Sequence, residues 1–486
     1  MIRPECEQIL SLAKDYPIVP VCREIYADMM TPISMLLRLS AISQRYYLLE
    51  SVEGGEKWGR YSFLGYDPVM RVCCKDGKVK IESEDGTETV ETMKPLEVLR
   101  NILKRYRAPK LPNMPPFTGG FVGHFSYGMI GYAEPTLKLK RGDFEDYDFM
   151  MFDKIIAYDH LKQKIGLIVH MKTDRSMENY GRAMAELQKM TDLIRSVGEL
   201  PEYKADKNVH FTCNQTKEEF CGMVNRAKQY IYDGDSFQLV VSRRFESEYR
   251  GSLINAYRVL RTTNPSPYMV YMKMDDKEIM STSPETLVRL ENGRLITFPV
   301  AGSRPRGATP EADKTLEAEL LADEKELAEH NMLVDLGRND LGRICRLGSV
   351  EVTEYKQIHK YSRIIHICSQ VEGDIREEYD SLDAIESVLP AGTLSGAPKI
   401  RACEIVDELE KTPRGIYGGA LGYLDFTGNM DTCIAIRMAV KKGQKVYVQA
   451  GAGIVADSVP ETEYEETANK AGAVIRAIQN AGEVDV

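Results

Sequence analysis

The stretch from Tyr447 to Glu466 reads YVQAGAGIVADSVPETEYEE, and its character changes along its length. A short apolar strand, Val446–Val448, runs into Ala450-Gly451-Ala452-Gly453, and a turn then leads to Pro460 and a run of glutamates. Glycines after a strand let a ligand approach the backbone and leave N–H groups for an anion. Pro460 suits the first turn of a helix, and Ser458 stands before Glu461 at the spacing of a capping box. On that helix Glu463 and Glu466 share a face. Anion-binding backbone beside a carboxylate pair suits an anionic substrate bridged to a hard cation. The same residues also make an ordinary strand, turn and acidic helix start, because acidic side chains favour a helix N-terminus. The rest of the chain has to separate the two readings.

The 486 residues allow two or three ordinary domains or one large intertwined unit. Apolar content of 43% supports a large core, and 28% charged residues cover it. A net charge of −10 argues against nonspecific binding to nucleic acid or to an anionic membrane. No apolar run reaches membrane-spanning length, and MIRPECEQIL lacks a signal core. The 10 cysteines show no CxxC spacing, which indicates reduced thiols in a cytoplasm.

Strand-like runs at Tyr46–Ser51, Arg60–Gly65 and Val69–Cys74 precede an Asp76-Gly77 hairpin signal. Pro95–Tyr106 and 176–197 carry leucines and methionines at helical spacing, and polar 198–208 is the best domain boundary. Beyond it, Thr216 and Glu219 have capping-box spacing. A single acidic helix is expected over Pro310–Asp335, and single strands over Gly418–Leu424 and Cys433–Lys441. Helices mixed with many hairpin-like strands predict α+β with antiparallel sheets, not a doubly wound parallel fold.

Several constellations carry chemistry. Glu326 and Glu329 form a second carboxylate pair on one helix face, and two such pairs supply oxygen ligands of the kind Mg²⁺ takes. Ala301-Gly302-Ser303-Arg304-Pro305-Arg306-Gly307 offers a close-approach glycine, a hydroxyl and two guanidinium groups, suited to a carboxylate or to a basic surface turn. Leu394–Lys399 (LSGAPK) is a glycine turn before a helix. His366, in the apolar run RIIHICSQV, is either a satisfied core residue or an acid–base group. Glu285, half-buried at a strand start, would hold a raised pKa and donate a proton. Arg437 within an apolar strand needs an anionic partner.

Together these residues resemble the chorismate-utilising enzyme family. From Thr212 to Ile478 its motifs run in order: SPE, AGSRPRG, DEKELAEHNMLVDLGRNDLGR, AGTLSGAPK, YGGALGY, AIR and AGAGIVADSVPETEYEE. The N-terminal half resembles the family's variable regulatory region through LLES and RYSFLG. The resemblance implies an α+β fold of large antiparallel sheets packed against each other and flanked by helices. Residues 1–205 would form a tryptophan-binding regulatory region and 206–486 the chorismate-binding catalytic region, intertwined into one compact unit.

Within the family the likeness is greatest to the anthranilate-forming branch, and it implies a reaction. Ammonia attacks C2 of chorismate, the C4 hydroxyl leaves, and pyruvate is eliminated from aminodeoxyisochorismate to give anthranilate. Mg²⁺ would be held by Glu329 and Glu466, with Glu326 and Glu463 supporting. Tyr417, Arg437 and the Gly451-Ala452-Gly453 backbone would hold carboxylates, and Gly302, Ser303 and Thr393 would add hydrogen bonds, Thr393 within the catalytic group. Glu285 would protonate the leaving hydroxyl, and His366 would assist pyruvate elimination.

Water-using relatives carry a lysine base where Gln238 stands, and the aminodeoxychorismate-forming relatives carry a lysine nucleophile where Ala301 stands. Both differences favour direct amination over those alternative activities. Ser303 stands where the family often has threonine, so the hydroxyl is retained. A non-catalytic aromatic-sensing subunit would be expected to have lost some of Glu285, Glu329, His366, Arg437 and Glu466, and all are present. No cysteine stands in a GxCxG elbow, which implies a separate glutamine amidotransferase subunit in a heterotetramer. Glu50, Ser51, Pro267, Tyr268 and Met269 would line a site for tryptophan as feedback inhibitor. A strand end and a Pro-rich turn are the other reading of these five.

Overall fold

The computed structural model describes residues 2–51, 59–196, 198–206, 209–360 and 364–484. Its strands form one 13-stranded and one 12-stranded sheet among the described residues. The pairings are antiparallel. At the centre of the first sheet lie Arg45–Glu50, Tyr268–Met274, Lys277–Ser283, Met438–Lys442, Lys445–Ile454 and Gln238–Glu248, in that order. At the centre of the second lie Thr286–Glu291, Met430–Ile434, Ala420–Asp425, Gly120–Phe125 and Tyr147–Phe152. Each sheet takes strands from both sides of residue 205, as in the pairs Arg45–Glu50 with Tyr268–Met274 and Gly120–Phe125 with Ala420–Asp425.

Period-two alternation sets the layers. Tyr47, Val122, Ile155 and Ile279 point inward into a core shared by both sheets. Their neighbours Leu48, Ile156 and Met280 point outward and pack beneath the helices Ser176–Arg195, Ile254–Thr263 and Pro460–Gln479. Phe121 and Phe149 do the same on the second sheet, under Pro95–Arg105 and Ser381–Val388. Each of these fully buried side chains contributes roughly 1.5–3 kcal/mol. No helix among the described residues is long and apolar enough to cross a membrane.

Two strand pairs pass from one sheet to the other side by side. Lys277–Ser283 pairs with Met438–Lys442 in the first sheet. Across residues 284–285 on one segment and 435–437 on the other, Thr286–Glu291 pairs with Met430–Ile434 in the second. The crossing is stitched by backbone bonds from Thr282 N–H to Arg437 C=O (3.1 Å) and from Ile434 N–H to Glu285 C=O (3.0 Å). The Ser283 hydroxyl donates to Ile434 C=O at 2.7 Å. This seam corrects the reading of Cys433–Lys441 as one strand. Arg437 sits between two strands, with its backbone in the left-handed region at φ 48°, because the chain must turn there to change sheets.

Other boundaries also moved. The acidic helix is two, Pro310–Ala322 and Glu324–Gly342. Asp323 breaks them by adopting an extended backbone, and its carboxylate accepts from the N–H groups of Lys325 and Glu326. The glycines of Gly451 and Gly453 lie inside the strand Lys445–Ile454, not after it. Pro460 does open the last helix, but the capping box does not form. The Ser458 hydroxyl instead accepts from Val455 N–H at 3.1 Å. The box at Thr216 and Glu219 does form.

An ion-pair chain ties the sheets together away from the seam. Lys277, on the first sheet, reaches Asp148 (2.5 Å) and Glu145 (2.9 Å) beside the second. Arg71 joins Asp148 (2.8 Å) to Asp275 (3.0 Å). His124, Glu145 and Asp148 form the one His/Asp/Glu group among the described residues spaced to hold a metal, but the Lys277 ammonium already lies among them. Burial alone would raise Glu145, yet Lys277 outweighs it and holds that carboxyl at about 2. Removing one partner of a buried pair strands the other charge. Lys277→Met is therefore expected to lower unfolding free energy by roughly 3–5 kcal/mol at neutral pH in urea titrations. Because Glu145 is depressed, its share is present above its ordinary 4.5 and is lost as pH falls toward about 2. The gap between wild type and variant should narrow over that window.

Candidate active site

The seam places an acid and a cation side by side. The Glu285 carboxyl accepts from the Thr393 hydroxyl at 2.9 Å. Burial raises its pKa, against the hydrogen bond from Thr393 and the charges of Lys470 and Arg437. A carboxyl so placed holds its proton longer than an exposed one. Arg437 is also desolvated, which lowers its pKa, and its electrostatic neighbours are Glu285, Tyr417 and Glu466. Its guanidinium makes no hydrogen bond or ion pair among the described residues. Tyr417 is buried, and its hydroxyl lies 2.9 Å from where a Cβ on Gly451 would stand. Glycine is required there because the strand backbone must pass close to that hydroxyl. At Gly453 the same added Cβ would meet Gln238 Nε2 at 2.7 Å. Ala452 turns its methyl into the apolar core and offers the site only backbone.

The strand Val300–Pro305 brings Ser303 into register with His366. His366 Nδ1 lies 3.3 Å from Gly302 C=O. Burial lowers the imidazole to about 4, so it is neutral at pH 7. Gly302 has φ 80°, and an added Cβ would come within 3.2 Å of Glu326. Ser303 is exposed. The two guanidinium groups expected to meet a carboxylate ligand are taken by the chain itself. Arg304 binds Asp323 (2.8 Å) and Glu326 (3.1 Å), and Arg306 binds Asp313 (2.6 Å). The LSGAPK turn packs Gly396 against the Gln238 backbone, and its Lys399 is held by Asp340 at 2.8 Å.

The two glutamate pairs face a common space. Burial raises Glu329, assisted by the charge of Glu326 and opposed by Gln238, Lys325 and Lys470. Burial likewise raises Glu463, assisted by Glu466 and opposed by Ser458, Lys470 and Lys325. One cation from each helix thus acts on carboxylates of the other. Glu466 pairs with Lys470 at 2.5 Å. Lys470 also donates to Gly451 C=O at 3.1 Å, which ties the last helix to the glycine strand. Lys470 is the site residue that sequence reasoning missed. Its spacing of four from Glu466 was visible but reads as an ordinary helix ion pair.

The chain matches the chorismate binding enzyme description over residues 45–476. The chain belongs to that family. It is 47% identical to anthranilate synthase component 1 of Acetivibrio thermocellus, with all of both chains covered. It is 43% identical to that of Aquifex aeolicus, with 98% of each covered. The solved anthranilate synthase component I from Streptococcus pneumoniae TIGR4 superposes with TM-score 0.78 at 36% identity, covering 93% of this chain and 98% of that one. An isochorismate synthase of Escherichia coli shares the fold, with TM-score 0.70 at 18% identity over 98% of each. The chain is therefore a chorismate-utilising enzyme, and its two-sheet architecture is that family's fold.

A separate cavity of about 490 Å³ is lined by residues of both sheets. Glu50, Ser51, Pro267, Tyr268 and Met269 all line it, with Phe63 and Tyr423. Glu50 is held by Arg261 (2.8 Å) and by the Tyr257 hydroxyl (2.8 Å). The Tyr268 hydroxyl reaches Thr286 (2.9 Å) and Asp431 (2.8 Å).

Arg437→Met removes a desolvated charge that makes no hydrogen bond or ion pair among the described residues. Its thermal unfolding midpoint should be unchanged or higher, while chorismate affinity, read by fluorescence titration, falls by roughly 100-fold or more. A clear loss of stability would show that Arg437 serves the fold instead.

Proposed function

We propose that this chain is the synthase component of an anthranilate synthase, converting chorismate and ammonia to anthranilate and pyruvate. The observation that carries this reading is the juxtaposition at the seam. A carboxyl with raised pKa, Glu285, stands beside an unpaired guanidinium, Arg437, with Tyr417 and the Gly451–Gly453 backbone around them. Chorismate is a dianion with a hydroxyl leaving group, and needs both an anion receptor and an acid. Arg437, Tyr417 and the glycine strand hold the side-chain carboxylate. Glu285, oriented by Thr393, gives its proton to the C4 oxygen, which departs as water. Neutral His366 assists the second stage, in which the C2 proton and the C3–O bond are lost and pyruvate leaves.

The oxygen-only donor set of Glu329 and Glu466, with Glu326 and Glu463 beside them, is chemically the kind Mg²⁺ takes, although no three of the four bring ligand atoms within 4.8 Å of one another in this structure. Bound there, the ion would draw off negative charge from the ring carboxylate. Gln238 and Ala301 favour amination over the hydration or lysine-adduct chemistry of sister enzymes, since neither side chain is a base or a nucleophile. Burial raises several thiols, Cys22 and Cys433 to about 12, which disfavours a glutaminase nucleophile at those positions. A partner amidotransferase, the second component, would supply the ammonia in the cytoplasm, in a heterotetramer. Residues 1–205 act as the regulatory region and 206–486 as the catalytic one. The 490 Å³ cavity, lined by Phe63, Met269 and Tyr423 together with charged and polar groups such as Glu50, Ser51, Arg60 and Arg289, is of a size and chemistry to take tryptophan.

The deciding experiment incubates the pure chain with chorismate, Mg²⁺ and an ammonium salt. Anthranilate fluorescence should appear; isochorismate or a 4-amino product in its place would overturn the assignment. Glu329→Gln should cut Mg²⁺-dependent turnover by roughly 100-fold or more with circular dichroism unchanged. Ser51→Ala should raise the tryptophan concentration for half-inhibition while leaving uninhibited turnover within about twofold, and equal loss of both would count against a separate site.

A further inference from the structure

Arg414 is buried, 5% exposed, in the segment between the helix Lys399–Leu409 and the strand Ala420–Asp425. Its guanidinium joins separate segments of the chain. Nε and Nη2 donate to the two carboxylate oxygens of Glu410 at 2.9 and 2.6 Å. Nη2 also donates to Val240 C=O at 2.6 Å, and Nη1 donates to Leu394 C=O. Glu410 in turn accepts from the Ser242 N–H (2.7 Å) and hydroxyl (2.8 Å). Val240 and Ser242 stand in register with Gly453 and Gly451. In an antiparallel ladder, alternate residues turn their backbone groups away from the partner strand. Val240 and Ser242 do so, toward Arg414 and Glu410. The same alternation turns the groups of Gly451 and Gly453 to the opposite edge, where Gly451 C=O meets Lys470. On the other side of Arg414, Leu394 follows Thr393, whose hydroxyl donates to Glu285. The guanidinium also lies 5.9 Å from the centre of the Tyr417 ring, within reach of a cation–π attraction. A buried ion pair adds little net stability, and apolar side chains of similar volume often serve a fold as well. An apolar pair cannot, however, fix two carbonyls and a carboxylate against one planar fork.

We propose that Arg414, braced by Glu410, is a positioning residue that fixes the Thr393 turn against Glu285. This role rests on the reading of Glu285 as the acid of a chorismate enzyme, and adds to it a residue that touches no substrate. In that reading the C4–O bond breaks as Glu285 gives its proton to the oxygen, which leaves as water. The proton has to point at that oxygen, and a misplacement of about 1 Å can cost roughly 100-fold in rate. Thr393 donates to Glu285 Oε2, which favours the acid proton on Oε1. The hydroxyl that makes this choice is carried by a single helical turn, Gly392–Leu394. Arg414 pins the carbonyl at the end of that turn to the strand that faces the glycines. The acid and the carboxylate cradle thereby share one anchor. Tyr417 lies over the same cation, which opposes the effect of burial on its hydroxyl and so favours donation to a carboxylate.

The test is a double-mutant cycle of Arg414→Lys and Thr393→Val. Lysine keeps a cation near Tyr417 but cannot bridge Glu410, Val240 and Leu394 together. Arg414→Lys should lower kcat by about 30-fold or more. Its dissociation constant for chorismate, read by fluorescence titration, should stay within about threefold of wild type, which also shows that the variant is folded. Thr393→Val removes the hydrogen bond to Glu285 itself. In the double variant kcat should fall within about threefold of the slower single variant, because both changes act through that one bond. Turnover is followed by loss of chorismate absorbance, so the cycle reads the acid's step whichever product forms. Absence of anthranilate from the wild-type reaction would count against the anthranilate reading alone. A kcat within about twofold of wild type in Arg414→Lys, or effects that multiply in the double variant, would overturn the proposal. So would equal changes in kcat and in chorismate affinity, the mark of a merely structural role. Should Arg414→Lys not fold, Glu410→Gln combined with Arg414→Gln leaves no stranded charge, and its coupling to Thr393→Val is judged by the same limits.

Discussion

The rest of the structure depends on the paired crossing of Lys277–Ser283 into Thr286–Glu291 and of Met430–Ile434 into Met438–Lys442. A chain that changes sheets must give up ladder hydrogen bonds for a residue or two, and buried backbone groups tolerate that only if they are matched locally. Here the two crossings match each other, through Thr282 to Arg437 and Ile434 to Glu285. The Ser281 and Ser283 hydroxyls cover the carbonyls of Ile436 and Ile434. The side chains released from the sheet pattern at that point are Glu285 and Arg437. A continuous strand would send each to one face of a packed sheet. The seam sets Glu285 against Thr393 and Arg437 within reach of the charges of Glu285 and Glu466.

Residues of the crossing strands border two spaces. Glu285 meets Thr393 at one, and Asp431 lines the other, the 490 Å³ cavity. Tyr268 lines the cavity and bonds Thr286, the residue after Glu285. It also bonds Asp431, which pairs with Arg289 at 2.9 Å. A ligand that shifts Tyr268 acts on the Thr286 hydroxyl, on the residue next to the acid, without needing a long relay. Coupling of this kind requires two arrangements that the ligand tells apart. The positions best suited to supply them are the crossing residues, where ladder bonding is thinnest.

Much of this was legible in the residues. Alternation of apolar and polar positions marked most strands, because a strand buried on one face has a period of two. The carboxylate pairs, Glu285 and the glycine run were all visible as chemistry. What was hidden had physical reasons. The break at Arg437 sits inside AIRMAV, and no turn residue marks it, because the left-handed backbone is imposed by the change of sheet and not by local preference. The break at Asp323 lies in a run of good helix formers, where one capping carboxylate outweighs propensity. Gly451 and Gly453 looked like a turn because glycine is usually conformational. In the fold they serve close approach, inside an extended strand. Lys470 and Arg304 were readable as helix and loop charges, but their partners were set by tertiary contacts.

Charge matching separates binding residues from structural ones in this site. Glu326 has Arg304, Glu466 has Lys470, and Glu329 has the Gln238 amide. Each of these carboxylates is at least partly compensated by the protein itself. Arg437 is not, although burial already weakens its hold on its proton. An isolated buried cation is expensive, and a fold selected for stability alone would pair it or replace it. Gln238 Oε1 shows the same imbalance in neutral form. Gln238 opens the strand that pairs with the glycine strand, and Arg437 lies at the crossing between the two sheets. Among the described residues of the site, the groups without a hydrogen-bond partner include one cation and one carbonyl acceptor. A buried cation left without an ion pair is the feature that an anion receptor needs, and a fold built for stability alone has no use for it.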